Sequence, residues 1–382
     1  MKQKKWIALF LCFAVMITLV SCGNHRAEES AYESSSEQTE GSLSAEEREM
    51  AEIRNFLETV TYLDYVLTGE KTPYFIGRWF EKKINGVKHD VTLTDGSAIY
   101  FLIDGAESFD VNFTVITSKE EPYFAYSIDG GEPIRRCITD QTVYLPDDGK
   151  HTVRIIADGM TESEGKWNEE KGFALKGITP SDGGKIYGIR PENKIIFYYG
   201  DSITEGVRAL NMSATSNGNS ATNAYPWFCS EKLGAVTYSV GYGASGVTVS
   251  GSFHTFKNAI DYNSNGREVA DGVIPDVIVI NHGTNDRNVN AETFKAELVK
   301  ALSRLREKYS DAPIVYMIPF GQYHAQAIAE AVSGFENAYV VQTDEWNITF
   351  TDVYHPNSNG AKIAGENLAE ELICILGADF FS

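Results

Sequence analysis

The sequence has few cysteines and no closely spaced pair of them. The lack of a Cys-x-x-Cys pair argues against a zinc site built on thiolates, and the three cysteines beyond residue 22 can form at most one disulfide. We expect the downstream cysteines to be free, buried thiols. The cysteines are Cys12, Cys22, Cys137, Cys229 and Cys374.

Basic residues are also scarce. The 382 residues include 33 Lys and Arg against 53 Asp and Glu, which gives a formal net charge of −20. An acidic protein is a poor ligand for nucleic acid, because phosphates are bound by Lys and Arg. The apolar fraction of 43% is sufficient for packed cores, and the chain length suggests two domains. The composition therefore indicates a two-domain globular protein that does not bind nucleic acid.

The chain lacks an apolar run long enough for a confident membrane span. Its longest run, Trp6 to Val20, follows a short basic segment and is shorter than the roughly 20 residues that a spanning helix needs. This anatomy predicts a signal peptide over residues 1–21. The run ends in Leu-Val-Ser-Cys22, which resembles a bacterial lipobox. We therefore expect an extracytoplasmic lipoprotein whose membrane contact is a lipid on Cys22; the alternative is an ordinary secreted protein.

The remaining sequence divides into segments that differ in composition and hydrophobic pattern. Residues 22–43 are rich in Ser and Glu and predict a disordered tether. Residues 44–68 carry apolar side chains at helical spacing and predict an amphipathic helix. Residues 73–190 contain short β-rich runs separated by Asp-Gly pairs, which predict an all-β sandwich of jelly-roll type. Residues 193–382 alternate apolar strands with helical stretches, which predicts an α/β domain with a parallel sheet covered by helices.

The first candidate reactive group is a serine at a strand-to-helix turn. The stretch "IIFYYGDSITEG" predicts a strand that runs directly into Gly200-Asp201-Ser202. A turn of this kind can present Ser202 as a nucleophile beside the free N–H groups of the following helix. Ser202 can equally be the polar cap of that helix. The usual hydrolase elbow, G-x-S-x-G, is absent because Thr204 replaces its second glycine.

Three other segments carry groups that a nucleophilic serine would need. Asp352 precedes His355 by three residues, so the carboxylate can orient the imidazole as a general base, although a surface ion pair fits the same spacing. Asn285 ends a buried strand and can donate to an oxyanion or form an Asx-turn. Gly246 can offer an unobstructed backbone N–H or simply a tight turn, and Gly241 and Gly243 compete with it.

Taken together and in this order, these segments resemble the four blocks of the SGNH (GDSL-type) hydrolases, over roughly residues 193–382. The resemblance implies a flavodoxin-like three-layer α/β/α domain that hydrolyses esters without a metal or an organic cofactor. It implies Ser202 as the nucleophile, His355 as the general base and Asp352 as the residue that orients His355. The oxyanion hole would consist of the Ser202 and Gly246 backbone N–H groups and the Asn285 side chain.

The domain order is similar to that of family-two-type carbohydrate acetylesterases, in which a β-sandwich precedes the hydrolase domain. "GRW" at residues 77–79 and "GDSITEG" at residues 200–206 carry this looser resemblance. It implies an acetylated polysaccharide as the substrate. His282 stands where relatives commonly have an apolar residue; it either lines the acyl pocket or is a buried, hydrogen-bonded structural residue. Trp227 either stacks on a sugar ring or anchors the core.

Two other functions are compatible with the sequence. One is an esterase or lipase that acts on other acyl esters or on bacterial wall glycans with the same residues. The other is a surface glycan-binding lipoprotein whose hydrolase domain is inactive. The complete Ser-Gly-Asn-His set argues against the second, because inactive domains commonly lose one of these residues.

Overall fold

The computed structural model describes residues 43–116, 119–270 and 272–382. The predicted signal peptide, the lipidation site Cys22 and nearly all of the tether lie outside the described residues, so the lipid anchor stays a prediction. Within the described ranges, no helix is both long and apolar enough to cross a membrane. The cysteines there are free thiols: Cys229 is buried as expected, whereas Cys137 is half-buried and Cys374 is exposed.

The helix predicted over residues 44–68 is longer than the helix that the structure contains. Helix α1 spans Ala45–Leu57, and the chain then forms a short edge strand, β1, at Tyr65–Leu67. The helix ends in a tight turn in which the Thr59 hydroxyl donates to the Phe56 carbonyl oxygen at 2.7 Å. Such a side-chain bond competes with continued helical pairing. The apolar spacing continues past this turn because the later residues pack as a strand against the end of the sandwich.

The next segment contains the strands of the β-sandwich, in agreement with the predicted all-β domain. The strands are β2 Tyr74–Ile76, β3 Trp79–Ile84, β4 Val87–Thr92, β5 Ala98–Asp104, β6 Ser108–Ile116, β7 Tyr123–Ile128, β8 Ile134–Cys137, β9 Thr142–Tyr144, β10 His151–Gly159, β11 Gly172–Pro180 and β12 Lys185–Pro191.

The strand order is that of a jelly roll. One antiparallel sheet has the order β1-β12-β5-β10-β7-β8, with β2 also paired to β5, and the other has the order β3-β4-β11-β6-β9. Consecutive strands from β4 to β7 and from β9 to β11 alternate between the two sheets, as two interleaved Greek keys require. The facing sides enclose an apolar core that includes Phe101, Phe109, Phe124 and Phe173. The jelly-roll prediction is confirmed.

The α/β domain follows from residue 195 onward. Its elements are β13 Ile195–Gly200, α2 Ser202–Glu205, α3 Tyr225–Leu233, β14 Val236–Gly241, α4 Phe256–Asp261, β15 Tyr262–Ser264, β16 Arg267–Glu268, β17 Val277–Asn281, α5 Ala291–Lys308, β18 Ile314–Met317, α6 Ala325–Val332, β19 Ala338–Val341 and α7 Ser358–Leu376.

The central sheet is parallel and has the order β14-β13-β17-β18-β19. This is the flavodoxin-like strand order. The connections from β13 lead first to one side of the sheet and then to the other, so the order switches between β13 and β17. Side chains of β13 alternate between the layers: Ile196 and Tyr198 pack toward α3 and α7, while Phe197 and Tyr199 pack toward α4 and α5. The predicted three-layer domain is confirmed, and its strand ends at the β13/β17 reversal form a crevice suited to a ligand.

The two domains are joined by buried polar contacts. Arg78, in the middle of the "GRW" motif, is 2% exposed. Its guanidinium donates to the Ala259 carbonyl oxygen at 2.8 Å and to the Tyr199 hydroxyl at 3.2 Å, both in the α/β domain. Because a buried cation is costly unless it is hydrogen-bonded, these contacts fix the sandwich against the sheet. The motif that suggested the family-two architecture therefore has a structural role at the domain junction.

Candidate active site

Ser202 lies at the end of β13, and its neighbour Asp201 caps the following helix. The Asp201 carboxylate accepts a hydrogen bond from the Ile203 N–H at 3.0 Å, and the Asp201 carbonyl oxygen accepts from the Glu205 N–H. Gly200 permits the sharp turn, because a β-carbon there would collide with the Thr204 hydroxyl. With Asp201 as the cap, the Ser202 side chain is left for another contact, so the capping interpretation does not describe Ser202.

His355 lies against Ser202 at the carboxyl edge of the sheet. Its Nε2 is 2.9 Å from the Ser202 Oγ, and its Nδ1 is 2.9 Å from the nearer Asp352 oxygen. A carboxylate only accepts hydrogen bonds, so the shared proton sits on Nδ1 and leaves Nε2 to accept from the serine hydroxyl. The structure brings these three side chains together in the order and tautomer that a serine hydrolase needs.

Asp352 is held as a charged carboxylate by several donors. It accepts from the backbone N–H groups of His355 at 2.7 Å and Tyr354 at 2.8 Å, and from the Arg208 guanidinium. Burial opposes ionisation, but the hydrogen bonds outweigh it and hold the pKa of Asp352 well below its usual range. The carboxylate therefore stays ionised at neutral and mildly acidic pH. Sequence reasoning missed Arg208, which lies outside the four blocks and has no motif of its own.

Asn285 lies beside the nucleophile turn, as its position after β17 predicted. Its side-chain nitrogen donates to the Ser245 carbonyl oxygen at 2.9 Å and is 3.4 Å from the Asp201 carboxylate. The first contact fixes the amide between the Ser202 turn and the loop after β14. Both amide hydrogens therefore have acceptors, and donation to an oxyanion would replace the longer of the two contacts, the one to Asp201.

The structure contradicts the assignment of Gly246 to the oxyanion hole. The Gly246 N–H donates to the Val249 carbonyl oxygen at 2.8 Å and is therefore already engaged. The position needs glycine for a different reason, because a β-carbon would collide with the Asp286 carboxylate. That carboxylate accepts from the N–H groups of Val247 at 2.9 Å and Thr248 at 2.8 Å, and so shapes the loop.

Other backbone donors are available near Ser202. Within the described residues, the N–H groups of Ser202, Gly243 and Ala244 have no intramolecular acceptor. Ala244 is exposed and has a left-handed φ of 56°, a conformation more often occupied by glycine. A sequence search restricted to glycine passes over Ala244, whose N–H is one of these free donors.

We expect an Asn285→Ala variant to lose about 10²- to 10³-fold in kcat on a simple acetate ester, the usual effect of deleting one oxyanion donor. Asn288→Ala, which removes an exposed amide from the same loop, is the matched control and should retain wild-type rates. Steady-state kinetics of both variants would check this. A loss confined to KM in Asn285→Ala would contradict a role in stabilising the transition state.

Trp227 is a core anchor rather than a sugar platform. It is 7% exposed, and the Arg154 guanidinium carbon lies 4.2 Å from its ring centroid. Arg154 belongs to β10 of the sandwich and also donates to Glu231 on α3 at 2.8 Å. Because the ring is covered by this cation at the domain junction, the predicted substrate-binding role of Trp227 is wrong.

His282 is buried but not hydrogen-bonded as expected. Neither ring nitrogen has a partner within the described part of the chain, and the ring packs on Phe256 with centroids 4.8 Å apart. Burial lowers the pKa of His282 to about 4, against the opposing effect of the Asp286 carboxylate. The imidazole is therefore neutral at neutral pH. Its 2% exposure favours a packing role over contact with an acyl group.

A sizeable cavity lies away from these groups. It has a volume of about 1280 Å³ and is lined in part by Pro275, Asp276 and Pro313, which precede strands β17 and β18. It therefore opens at the amino ends of the strands, opposite Ser202. No cluster of His, Cys, Asp or Glu able to hold a metal ion occurs in the described ranges. The reacting side chains, rather than cavity size, identify the site.

Comparison with known proteins agrees with this geometry. Residues 198–369 match the model of the GDSL-like Lipase/Acylhydrolase family. This range contains Ser202, Asn285, Asp352 and His355. No curated protein matches the chain in sequence.

Solved structures share both domains. A family two carbohydrate esterase from Clostridium thermocellum, in complex with cellohexaose, is 20% identical with a TM-score of 0.66, covering 80% of this chain and 99% of that chain. A family two carbohydrate esterase from Cellvibrio japonicus is 20% identical with a TM-score of 0.66 and coverages of 83% and 98%. An acetyl xylan esterase from the rumen bacterium Butyrivibrio proteoclasticus is 16% identical with a TM-score of 0.64 and coverages of 83% and 100%.

Fold, site and family match together define the class. The C-terminal domain is a GDSL-type (SGNH) hydrolase domain, and the protein is a carboxylic ester hydrolase. The two-domain architecture is that of the family two carbohydrate esterases, which share it with this chain at low sequence identity.

Proposed function

We propose that this protein is a serine esterase that removes O-acetyl groups from carbohydrate. The observation that carries the proposal is the hydrogen-bonded chain Ser202–His355–Asp352 at the carboxyl edge of a flavodoxin-like sheet. The architecture supports the choice of substrate, because similar structures with the same pair of domains are carbohydrate esterases.

The reaction begins when the Ser202 Oγ attacks the acetyl carbonyl carbon and His355 Nε2 takes the hydroxyl proton. Asp352 holds the imidazole in the required tautomer and stabilises the imidazolium that forms. The developing oxyanion is met by the Asn285 amide, the Ser202 N–H and an N–H of the Gly243-Ala244 turn. The two backbone N–H groups are free before the reaction, whereas the Asn285 amide exchanges its long contact with Asp201 for the oxyanion.

The tetrahedral intermediate then collapses. The bond from the carbonyl carbon to the sugar oxygen breaks, and the sugar hydroxyl leaves with the proton that His355 took. Water next attacks the acetyl-Ser202 ester, giving its proton to His355, and the second intermediate releases acetate while Ser202 regains its proton. In both steps of the reaction, Ser202 and His355 account for every proton transferred to or from the substrate and the water.

Acetate release from a panel of acetylated xylan, acetylated mannan and O-acetylated peptidoglycan tests the substrate class. We expect the purified protein to release acetate from acetylated xylan or mannan faster than from peptidoglycan, with simple acetate esters preferred over longer acyl chains. Faster turnover of long-chain esters would favour the alternative of a lipase, and a preference for peptidoglycan would favour a wall-glycan esterase. Acetate release from none of them would contradict the proposal.

A further inference from the structure

The sandwich domain sends one connection into the active-site region. The segment between β10 and β11 crosses to the loops at the carboxyl ends of the parallel sheet. There the Glu162 N–H donates to the Ala214 carbonyl oxygen at 3.0 Å, and the Trp167 N–H donates to the Ser252 carbonyl oxygen at 3.0 Å. This segment therefore lies across two loops that border Ser202.

A buried ion pair fixes the same segment to the nucleophile helix. The Lys166 Nζ lies 2.5 Å from the Glu205 carboxylate, and both side chains are fully buried. Glu205 ends the short helix α2 that begins with Ser202. The helix that presents the nucleophile thus holds the connection in place. The other side chains of the connection are therefore fixed relative to Ser202.

The side chain of Glu162 occupies space left by a glycine in the oxyanion turn. A β-carbon at Gly243 would collide with the Glu162 Cγ and would lie 3.1 Å from its Oε1. The absence of a side chain at Gly243 thus gives Glu162 room directly over the turn that carries the free N–H groups of Gly243 and Ala244. His355 and Arg208 are also close enough to favour the charged form of this carboxyl.

The Glu162 carboxylate has unused hydrogen-bonding capacity. Within the described residues, neither of its oxygens has a hydrogen-bond or ion-pair partner, and the residue is partly buried. Burial raises the pKa of Glu162 above its usual range, with a contribution from the nearby Glu205 carboxylate. A carboxylate that is partly removed from water and lacks donors gains most from a ligand that supplies them.

We propose that Glu162 is a specificity-determining residue, which accepts a hydrogen bond from a free sugar hydroxyl adjacent to the acetylated oxygen. The inference rests on the proposed function and deepens it: the substrate class is neutral, partly acetylated sugars. An ionised carboxylate accepts hydrogen bonds only, so it favours hydroxyl donors and repels uronic acids at the same place. The sandwich domain then contributes directly to substrate choice.

A ratio of two kcat/KM values tests this role. One substrate is methyl β-D-xylopyranoside carrying a single acetyl group, and the other is 4-nitrophenyl acetate, which has no hydroxyl. In both reactions Ser202 attacks an acetyl carbonyl with His355 as the general base, so an effect of Glu162 on that attack is common to the two kcat/KM values. We expect Glu162→Ala to lower the ratio of xyloside to nitrophenyl ester by about 10- to 100-fold, the effect of losing a hydrogen bond to a charged group.

Companion variants separate a direct contact from a structural effect. Glu162→Gln keeps an acceptor oxygen and should recover part of the ratio. Gly243→Ala, at a position without a positive φ, should displace Glu162 and lower the ratio as well, but add little in the Glu162→Ala background. Glu132→Ala removes an exposed carboxylate from the turn between β7 and β8 and should leave the ratio at the wild-type value.

The outcomes distinguish the two proposals. If the wild-type protein hydrolyses neither substrate, the proposed function fails. If it hydrolyses both and Glu162→Ala leaves the ratio unchanged, the esterase function stands and the role of Glu162 is wrong. Equal reductions of the ratio in Glu162→Ala and Glu132→Ala would also overturn it, since a general loss of carboxylate charge would then explain the effect.

Discussion

Replacing Ser202 by alanine is expected to lower kcat on acetate esters by on the order of 10³- to 10⁶-fold, as removal of a nucleophile does in serine hydrolases. Ser202 Oγ is the atom that His355 Nε2 contacts at 2.9 Å, and alanine leaves His355 without a nucleophile to deprotonate. Asp201 supplies the cap of helix α2, so the variant should keep its fold and thermal stability. Release of 4-nitrophenol from 4-nitrophenyl acetate measures the change.

Ser250→Ala is the matched control for this variant, because Ser250 is an exposed serine in the loop after β14. It should hydrolyse the ester at the wild-type rate. If Ser202→Ala instead retained the activity of the wild type while circular dichroism showed an intact fold, Ser202 would not be the nucleophile.

The second large effect is expected from Asp352→Asn, which should reduce kcat by up to about 10⁴-fold. Asparagine offers a donor where His355 Nδ1 needs an acceptor, so the imidazole is stabilised in the wrong tautomer. The Arg208 guanidinium would also lose its carboxylate partner. Because the pKa of Asp352 is held well below its usual range, the wild-type carboxylate is charged throughout the pH range of the assay, and lowering the pH to 5 should not reproduce the variant.

Asp344→Asn provides the control for Asp352→Asn, since Asp344 is an exposed carboxylate in the loop before His355. It should behave as the wild type in kcat and in its pH profile. Unchanged activity in Asp352→Asn would show that a backbone carbonyl is enough to orient His355, and the site would then be a dyad.

The sequence predicted the parts of this molecule whose pattern is local or repeated. The alternation of strands and helices after residue 193 indicated a parallel sheet, and the alternating hairpin signals before it indicated a sandwich. Ser202, Asn285, Asp352 and His355 are each ambiguous alone, and the resemblance to the four SGNH blocks, taken in order, is what predicted them together.

The errors arose where a tertiary contact decides a residue's role. Gly246 is a glycine at the position where the resemblance places a backbone donor. Its lack of a side chain instead makes room for the Asp286 carboxylate, and its N–H donates to the Val249 carbonyl oxygen. Nothing near Trp227 in the sequence indicates that Arg154 of the other domain covers its ring. The helical spacing beyond residue 57 belongs to a strand that pairs with the sandwich.

Two residues near the site had no signal in the sequence. Arg208 reaches Asp352 from a left-handed position after α2, and Glu162 reaches the oxyanion turn from the other domain. Neither lies in a motif, and a contact between domains cannot be inferred from spacing along one chain.

The central claim is that the acyl group of the substrate passes through Ser202. Rapid acid quenching during turnover of 4-nitrophenyl acetate, followed by protease digestion and mass spectrometry, tests it most directly. The peptide containing Ser202 should gain the mass of one acetyl group in the wild-type protein, and the gain should be absent in His355→Ala, which lacks the general base. An acetyl group found on a different residue would contradict the claim. An initial burst of 4-nitrophenol without acetylated Ser202 in the quenched sample would contradict it as well.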